Sequence, residues 1–426
     1  MHAATRVTQT SAPAPAPATP PREVGYPQTV PRAARHGCSR TGPRRFGLLA
    51  AVAGTLLSTA CGDMLPPARL IVSTRVLGMK MEVSQALPIG DPEDTEQLGI
   101  RCEALPFETV ELTPLIADPE GVQSPAIIDP LWIACELPPG QGLFACTQGA
   151  IPTDLSALPE CPQTTLFDLT PEDLAGGELP EFPSPCIIAD DGDPDGLQEF
   201  TVPLTQNVLI GGDIELVMFG HEPNGPSTTE CANALLTGET ELDNLCIQAV
   251  QRLTVGPIER LLELAESFGL DFPDGLPTST EIPDGDRNPR IESFVVELQR
   301  PDGASESLGE VENGGAISAQ EGDIVKITAE APERYLQEYL VPINGGRDGY
   351  ETRVEDYSGS WFITWGGLLS GGSNDPVSKN EWTLSRSDDD DVNLPSNNRA
   401  TLYYVIRDNR QGVDWWSLHV DVTPAP

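Results

Sequence analysis

The sequence predicts an all-β protein, with two β-sandwich-type domains and one short helix at their junction. The first domain is expected to carry long, disulfide-pinned loops. Three observations point to this. Short runs of alternating apolar residues recur between turn-forming residues. All the cysteines lie before residue 247, and the C-terminal third has none. One stretch alone, Ile258 to Phe268, is read with helical spacing.

In chain order, Ala68 to Val83 (ARLIVSTRVLGMKMEV) reads as one or two strands. Phe107 to Ala117 alternates and stops at Asp118-Pro119-Glu120-Gly121, a turn signal. Ala126 to Glu136 holds Trp132, Ile133 and Cys135 and reads as a buried strand. From there to about Pro194 the chain is rich in Pro, Gly and acids, which predicts long loops. Strands resume at Glu199 to Val202, Asn207 to Phe219 and Leu245 to Val255. Gly256-Pro257 then opens the helix, since proline suits a first turn. Ile258, Leu261, Leu262, Ala265 and Phe268 share one face, and Gly269 can end it.

Phe272 to Pro289 is a linker of Pro, Gly and Asp, and a compact β pattern follows it. Phe294, Val296 and Leu298 alternate with outward positions, as do Val325, Ile327 and Ala329. Trp361 to Trp365 (WFITW) is a dense strand. Leu402, Tyr404 and Ile406 lead into a turn at Asp408 to Gly412, and Trp416, Leu418, Val420 and Val422 return on one face. The expected division is therefore a leader over 1–60, a tether over 61–68, a cysteine-bearing β domain over 69–256, a helix and linker over 257–288, and a C-terminal sandwich over 289–426. Within the leader, residues 1–30 include the low-complexity run Ser11 to Pro21, and translation is expected to start downstream, near Val30.

The leader has its own chemistry. Arg32, Arg35, Arg40, Arg44 and Arg45 precede an uncharged run, Phe46 to Leu57, and then Ser58, Thr59, Ala60 and Cys61. That run is shorter than the roughly 20 residues a spanning helix needs, so it reads as an export signal. Small residues before Cys61 let the chain lie extended in a peptidase groove, and the thiol can take a diacylglycerol. The segment resembles the lipobox of bacterial lipoproteins through Ala60 and Cys61. It departs at Ser58, where that family usually has Leu; Leu57 lies one position further back. The resemblance implies export, lipidation of Cys61 and anchorage to a membrane. Gly62, in place of Asp, implies the outer membrane.

The formal charge is −40, from 65 acids and 25 bases. Seven of the bases and one acid fall in residues 1–60, so the remainder carries −46. Such a field repels nucleic acid and anionic membrane surfaces, and attracts cations and basic partners. An exported address makes disulfides the expected state of the cysteines. There is no CxxC spacing for a zinc knuckle or redox motif. Pairing sequence neighbours would join Cys135 to Cys146, Cys161 to Cys186 and Cys231 to Cys246, leaving Cys102 free; spacing alone does not fix connectivity.

Recognisable catalytic patterns are absent. Past the leader there are two histidines, His221 and His419, and neither lies in a triad-like context. HExxH, GxSxG and glycine-rich phosphate or dinucleotide loops do not occur. A glycoside hydrolase built on two of the many carboxylates is one open alternative. Calcium is the sharper expectation. Asp191, Asp193 and Asp195 stand at alternate positions before Gly196, with Glu199 as a later ligand, and hard cations take such oxygens. Position 12 of that loop is Val202 rather than the Glu of an EF-hand. Asp284, Asp286 and Asn288 repeat the spacing in the linker. Asp388 to Asp391 reads as a solvated turn.

The C-terminal pattern also resembles a known group. Tyr404-x-Ile406-x-Asp408, Gly412 and Val420-x-Val422 are similar to the closing hairpin of bacterial Ig-like and PKD-like extracellular domains, and Trp361 to Gly367 to the tryptophan strand before it. The resemblance covers about residues 288–424. The Gly-Asp-Gly loop of PKD domains is missing, since Gly366-Gly367 runs into Leu368. What the resemblance implies is a non-catalytic cell-surface spacer, adhesion or scaffold module. The partner, an envelope protein or a glycan, is not named by the sequence. Five of the six tryptophans lie in this part, and alternation places Trp415 and Trp416 on opposite faces, which predicts Trp415 as an exposed platform for a sugar ring.

Overall fold

A computed structural model describes residues 69–87, 101–164, 181–189, 197–209, 211–239, 245–257, 260–261, 264, 285–342, 350–386 and 392–425. The chain from Leu65 to Pro426 forms one compact unit. It is all-β, as the alternation predicts, and it holds two sandwiches.

The first half supplies eight strands: β1 (Arg75–Gln85), β2 (Thr109–Asp118), β3 (Gly121–Gln123), β4 (Leu131–Leu137), β5 (Cys186–Ile187), β6 (Gln198–Thr201), β7 (Asp213–His221) and β8 (Cys246–Leu253). One sheet runs β1-β2-β3, with β6 also paired to β2; the other runs β5-β4-β7-β8. They close on a shared core that includes Met81, Leu112 and Phe200 from one sheet and Trp132, Leu216 and Met218 from the other. Strand β7 is buried on both faces, because a second cluster of Val217, Phe219, Ile133 and Ala232 packs behind it. The loops and a helix supply that cover, and they are held in place by Cys135–Cys146, Cys161–Cys186 and Cys231–Cys246. These are the neighbour pairings; Cys102 is free and buried.

The helix over Thr228–Thr237 was not anticipated. The junction helix was, and its middle lies outside the described residues. Arg260, Leu261 and Leu264 are helical, and the amides of Arg260 and Leu261 bond to the Pro257 carbonyl at 3.0 and 3.1 Å. Asn207 to Phe219, expected as one strand, is instead a helical turn over Gln206–Leu209 and then β7.

Twelve strands follow: β9 (Ser293–Gln299), β10 (Ser305–Glu310), β11 (Gly315–Gln320), β12 (Ile324–Glu330), β13 (Glu338–Pro342), β14 (Tyr350–Val354), β15 (Tyr357–Ile363), β16 (Gly367–Leu368), β17 (Gly372–Ser373), β18 (Val377–Thr383), β19 (Arg399–Asp408) and β20 (Val413–Thr423). Sheets β10-β9-β12-β18-β16 and β11-β20-β19-β15-β17 face each other, and β13-β14 forms a separate hairpin. Between the sheets lie Phe294, Val296, Val325, Ile327, Trp361, Trp382, Leu402, Tyr404, Ile406, Leu418 and Val420. The expected alternating positions thus face inward. Trp361 and Trp382 are fully buried, and their indole N–H groups donate to Ser378 Oγ (3.1 Å) and the Trp365 carbonyl (2.8 Å).

The sandwiches are not separated at residue 69 or by the linker. Leu70 belongs to the second core, and Ile71 pairs with Ile363 of β15 (2.8 Å) before the chain turns back to form β1. Strand β19 is buried on its other face as well. Tyr403 and Val405 meet Ile71, Leu77, Leu115 and Ala117 from the first half. This apolar contact brings the β19–β20 turn against the first sandwich.

Candidate functional site: a buried arginine among four carboxylates

The β19–β20 turn presents Arg410 to the seam between the sandwiches. The turn is shaped by Asp408, whose Oδ1 accepts from the Arg410 and Gly412 amides at 2.9 and 2.8 Å. Gln411 takes φ 91°, in the left-handed region, and Gly412 leaves no room for a Cβ, which would overlap the Asp408 carboxylate.

Three other segments bring carboxylates to this guanidinium, beside Asp408 of its own turn. Glu103, just ahead of β2, accepts from Nη2 at 2.6 Å; Glu355, between β14 and β15, accepts from Nη1 at 3.2 Å; Asp286, from the end of the linker, lies 3.7 Å from Nη1. Asp408 is the fourth. Tyr339 of β13 lies face-on to the guanidinium at 4.8 Å. The group is closed to solvent, with the Arg410 side chain 8% exposed, Glu103 5%, Glu355 2% and Asp286 0%. Backbone bonds lock the segments together: the Cys102 amide donates to the Asp286 carbonyl (2.9 Å), and the Asp286 amide to Glu103 Oε2 (2.9 Å).

One positive charge faces four acids, so the cluster favours taking up protons. Burial first, and then the neighbouring charge of Asp408, pushes the Asp286 carboxyl well above its usual range, against the pull of Arg410. Burial and Glu355 raise Asp408 to about 6, against its two amide bonds. Burial also pushes the Cys102 thiol up, helped by Asp286 and Asp408, so it is no activated nucleophile. Burial tends to lower Arg410, but Glu103, Asp286 and Glu355 outweigh it and hold the guanidinium charged. Both oxygens of Asp286, and Oδ2 of Asp408, are buried and accept no hydrogen bond from the described residues, which leaves the cost of burying their charge uncompensated at those atoms.

Of the three linker positions expected to hold calcium, the two that are described have partners within the protein. Asp286 faces Arg410. Asn288 donates to the Met81 carbonyl and accepts from the Val413 amide, both at 2.8 Å, so its carboxamide ties β1 to β20. Asp284, Asp191, Asp193, Asp195 and the run from Asp388 to Asp391 lie outside the described residues, as does Cys61. Glu199 sits on β6, where its carboxylate accepts from Ser84 Oγ at 3.2 Å. Among the described residues no group of three or more His, Cys, Asp or Glu is spaced to hold a metal ion.

Trp415 is likewise corrected. It is half-buried, not an open platform. Its ring packs with the Leu77 and Tyr403 cluster, and Lys80 of β1 covers it at 4.8 Å. Alternation placed it on the outer face of the second sandwich, but the first sandwich occupies that face. Trp416, on the opposite face, stacks on Phe294 with ring centres 5.8 Å apart. His419 is held at Thr401 (3.0 Å), and His221 bonds to the Glu222 carbonyl (2.7 Å).

Sequence reasoning missed Arg410, Glu103 and Glu355. The one signal was the place of Arg410, a basic residue in the tight turn from Asp408 to Gly412; Glu103 and Glu355 carry no comparable mark.

No family model matches the chain, and no curated protein matches it. Among solved structures, dimeric latent PorU from Porphyromonas gingivalis is similar at 12% identity and a TM-score of 0.17, over 82% of this chain and 24% of that one. The chain thus spans about a quarter of that protein's length.

Proposed function

We propose that this protein is an exported lipoprotein, held to the outer membrane by lipid on Cys61, whose ectodomain is a non-catalytic binding or scaffold module of the envelope. The lipobox-like run ending at Cys61 supports the address, and three disulfides fit an oxidising compartment. The observation that carries the rest is the Arg410 cluster. Its charges are sealed at the seam between the two sandwiches, which supports a structural role for them. A rigid, acidic, two-sandwich body on a lipid tether suits holding a partner at a membrane. Trp415, on which the sugar-platform alternative rests, is half-buried with Lys80 over its ring, which favours the protein-partner reading.

The test is fatty-acid labelling and crosslinking in living cells that express the wild type or Cys61→Ser. Label on the wild type alone, with one discrete protein partner recovered only with the anchored form, is expected. An unlabelled wild type would remove the anchor. Recovery of glycan in place of protein would move the function to sugar binding.

A further inference from the structure

We infer that the flank of the second sandwich formed by β10 and β11 is a docking edge for an extended, basic segment of a partner protein, which adds as a strand to β11. The inference deepens the binding reading above and names the class of partner.

The sandwich has four edge strands, and three are defended. β16 and β17 are two residues long. β10 carries Glu306 and Glu310 and is broken by a register shift between Ser307 and Gly309. Short length, charge and bulges are the usual protections against strand addition. β11 has none of them. Its six residues, GAISAQ, are small or neutral, without charge or proline, and among the described residues it pairs with β20 alone, in parallel and unbroken register.

The free side of β11 is chemically ready. The Glu321 amide donates to the Thr423 carbonyl, which sets the parity of the ladder. Alternate residues of a strand face opposite neighbours. The amides and carbonyls of Ala316 and Ser318 therefore point away from β20, and both residues are exposed.

A groove of about 700 Å³ lies along this flank between β10 and β11, and Ala316 and Ser318 line it. Its apolar wall includes Leu308, Val311 and Ile317, which are partly buried against the core of the sandwich and keep some apolar surface toward the groove. Its rim holds Glu306, Glu310 and Glu312. The one base there, Arg300, is already engaged by Asp323 at 2.5 Å and Glu306 at 3.8 Å. An added strand with apolar residues toward the groove and Lys or Arg toward the rim matches this pattern. A second copy of the chain does not, since it would bring the same glutamates and, past residue 60, another −46 against them.

The probe is a fluorescent decapeptide of alternating Lys and Val, titrated into the full-length protein in neutral detergent. A decapeptide of alternating Glu and Val is the control. Saturable binding of the first alone is expected, with slowed amide exchange in residues 315–320. Ser318→Pro removes an outward amide that β20 does not use, and should weaken binding at least tenfold with the melting temperature little changed. Glu306→Gln with Glu312→Gln leaves the backbone intact and should weaken binding several-fold. Three results would overturn the inference: no binding, binding indifferent to Ser318→Pro with no protection of β11, or self-association that Ser318→Pro abolishes. A negative peptide result with lipid still found on Cys61 would strike the docking edge and leave the anchored-module reading standing.

Discussion

Arg410 and Glu103 stand 307 positions apart in the chain and 2.6 Å apart in the fold. Their contact crosses the seam between the sandwiches, and Glu355 and Asp286 close around it. A charge-assisted bond of this kind is strong where water is excluded. Removing one partner is costlier than the bond itself, because the acids then lose the counter-charge they surround. Arg410→Met is therefore expected to destabilise the protein by about 3–5 kcal/mol. Arg410→Lys should recover only part of that, since a single ammonium cannot fork between Glu103 and Glu355. Denaturant unfolding of the three proteins at pH 7.5 checks the order.

The same cluster sets a pH dependence. Asp408 titrates at about 6 in the fold, and Asp286 is also raised. Unfolded, both would lie near 3.9. The folded protein thus holds more protons across that interval, and its stability falls as pH rises through it. Asp408 alone corresponds to roughly 3 kcal/mol between pH 4 and 7.5. Asp213, raised to about 6 mainly by burial, acts in the same direction. The melting temperature should climb as pH drops from 7.5 to 5, and Asp286→Asn should flatten that rise. A melting temperature that falls over this range would reverse the assignment.

Much of the fold was legible because burial on one face of a strand writes itself as alternation. Phe294, Val296 and Leu298, and later Leu402, Tyr404 and Ile406, show it plainly. Faces buried by a neighbouring module leave no such trace. Tyr403 and Val405 were unreadable as interface, since sequence cannot say which sheet meets which. Trp415 failed for that same reason. The helix at Thr228 was readable and overlooked: Ser227 and Glu230 make a reciprocal capping box. Of the site, Asp286 was singled out for its spacing with Asp284. Its actual partner lies more than a hundred residues away, where spacing carries no information.

The disulfides yield a local prediction. Cys231–Cys246 fastens the capped helix to β8 across a separation of 15 residues. Replacing both cysteines by serine should cost about 2–4 kcal/mol and loosen that helix first. Amide exchange should show faster exchange over residues 228–237, with β19 and β20 unchanged.

Cys102 is buried beside two acids, so it should resist maleimide in the native state and react only after unfolding. Mass spectrometry before and after denaturation reads this directly. Modification of the native protein would show that the seam opens.

Trp361 and Trp415 should separate core from seam. Trp361 is fully enclosed and hydrogen-bonded, so Trp361→Ala should cost about 3–5 kcal/mol. Trp415→Ala should cost less, and the cation over its ring should show as a double-mutant coupling with Lys80→Met of about 0.5–2 kcal/mol.

Scanning calorimetry of the wild type and Arg410→Met at pH 7.5 tests most directly whether the buried cluster makes the two sandwiches one body. A single transition for the wild type that splits into two for Arg410→Met is the predicted result. One transition at an unchanged temperature in the variant would show that the apolar seam alone joins them, and would contradict the role given to Arg410.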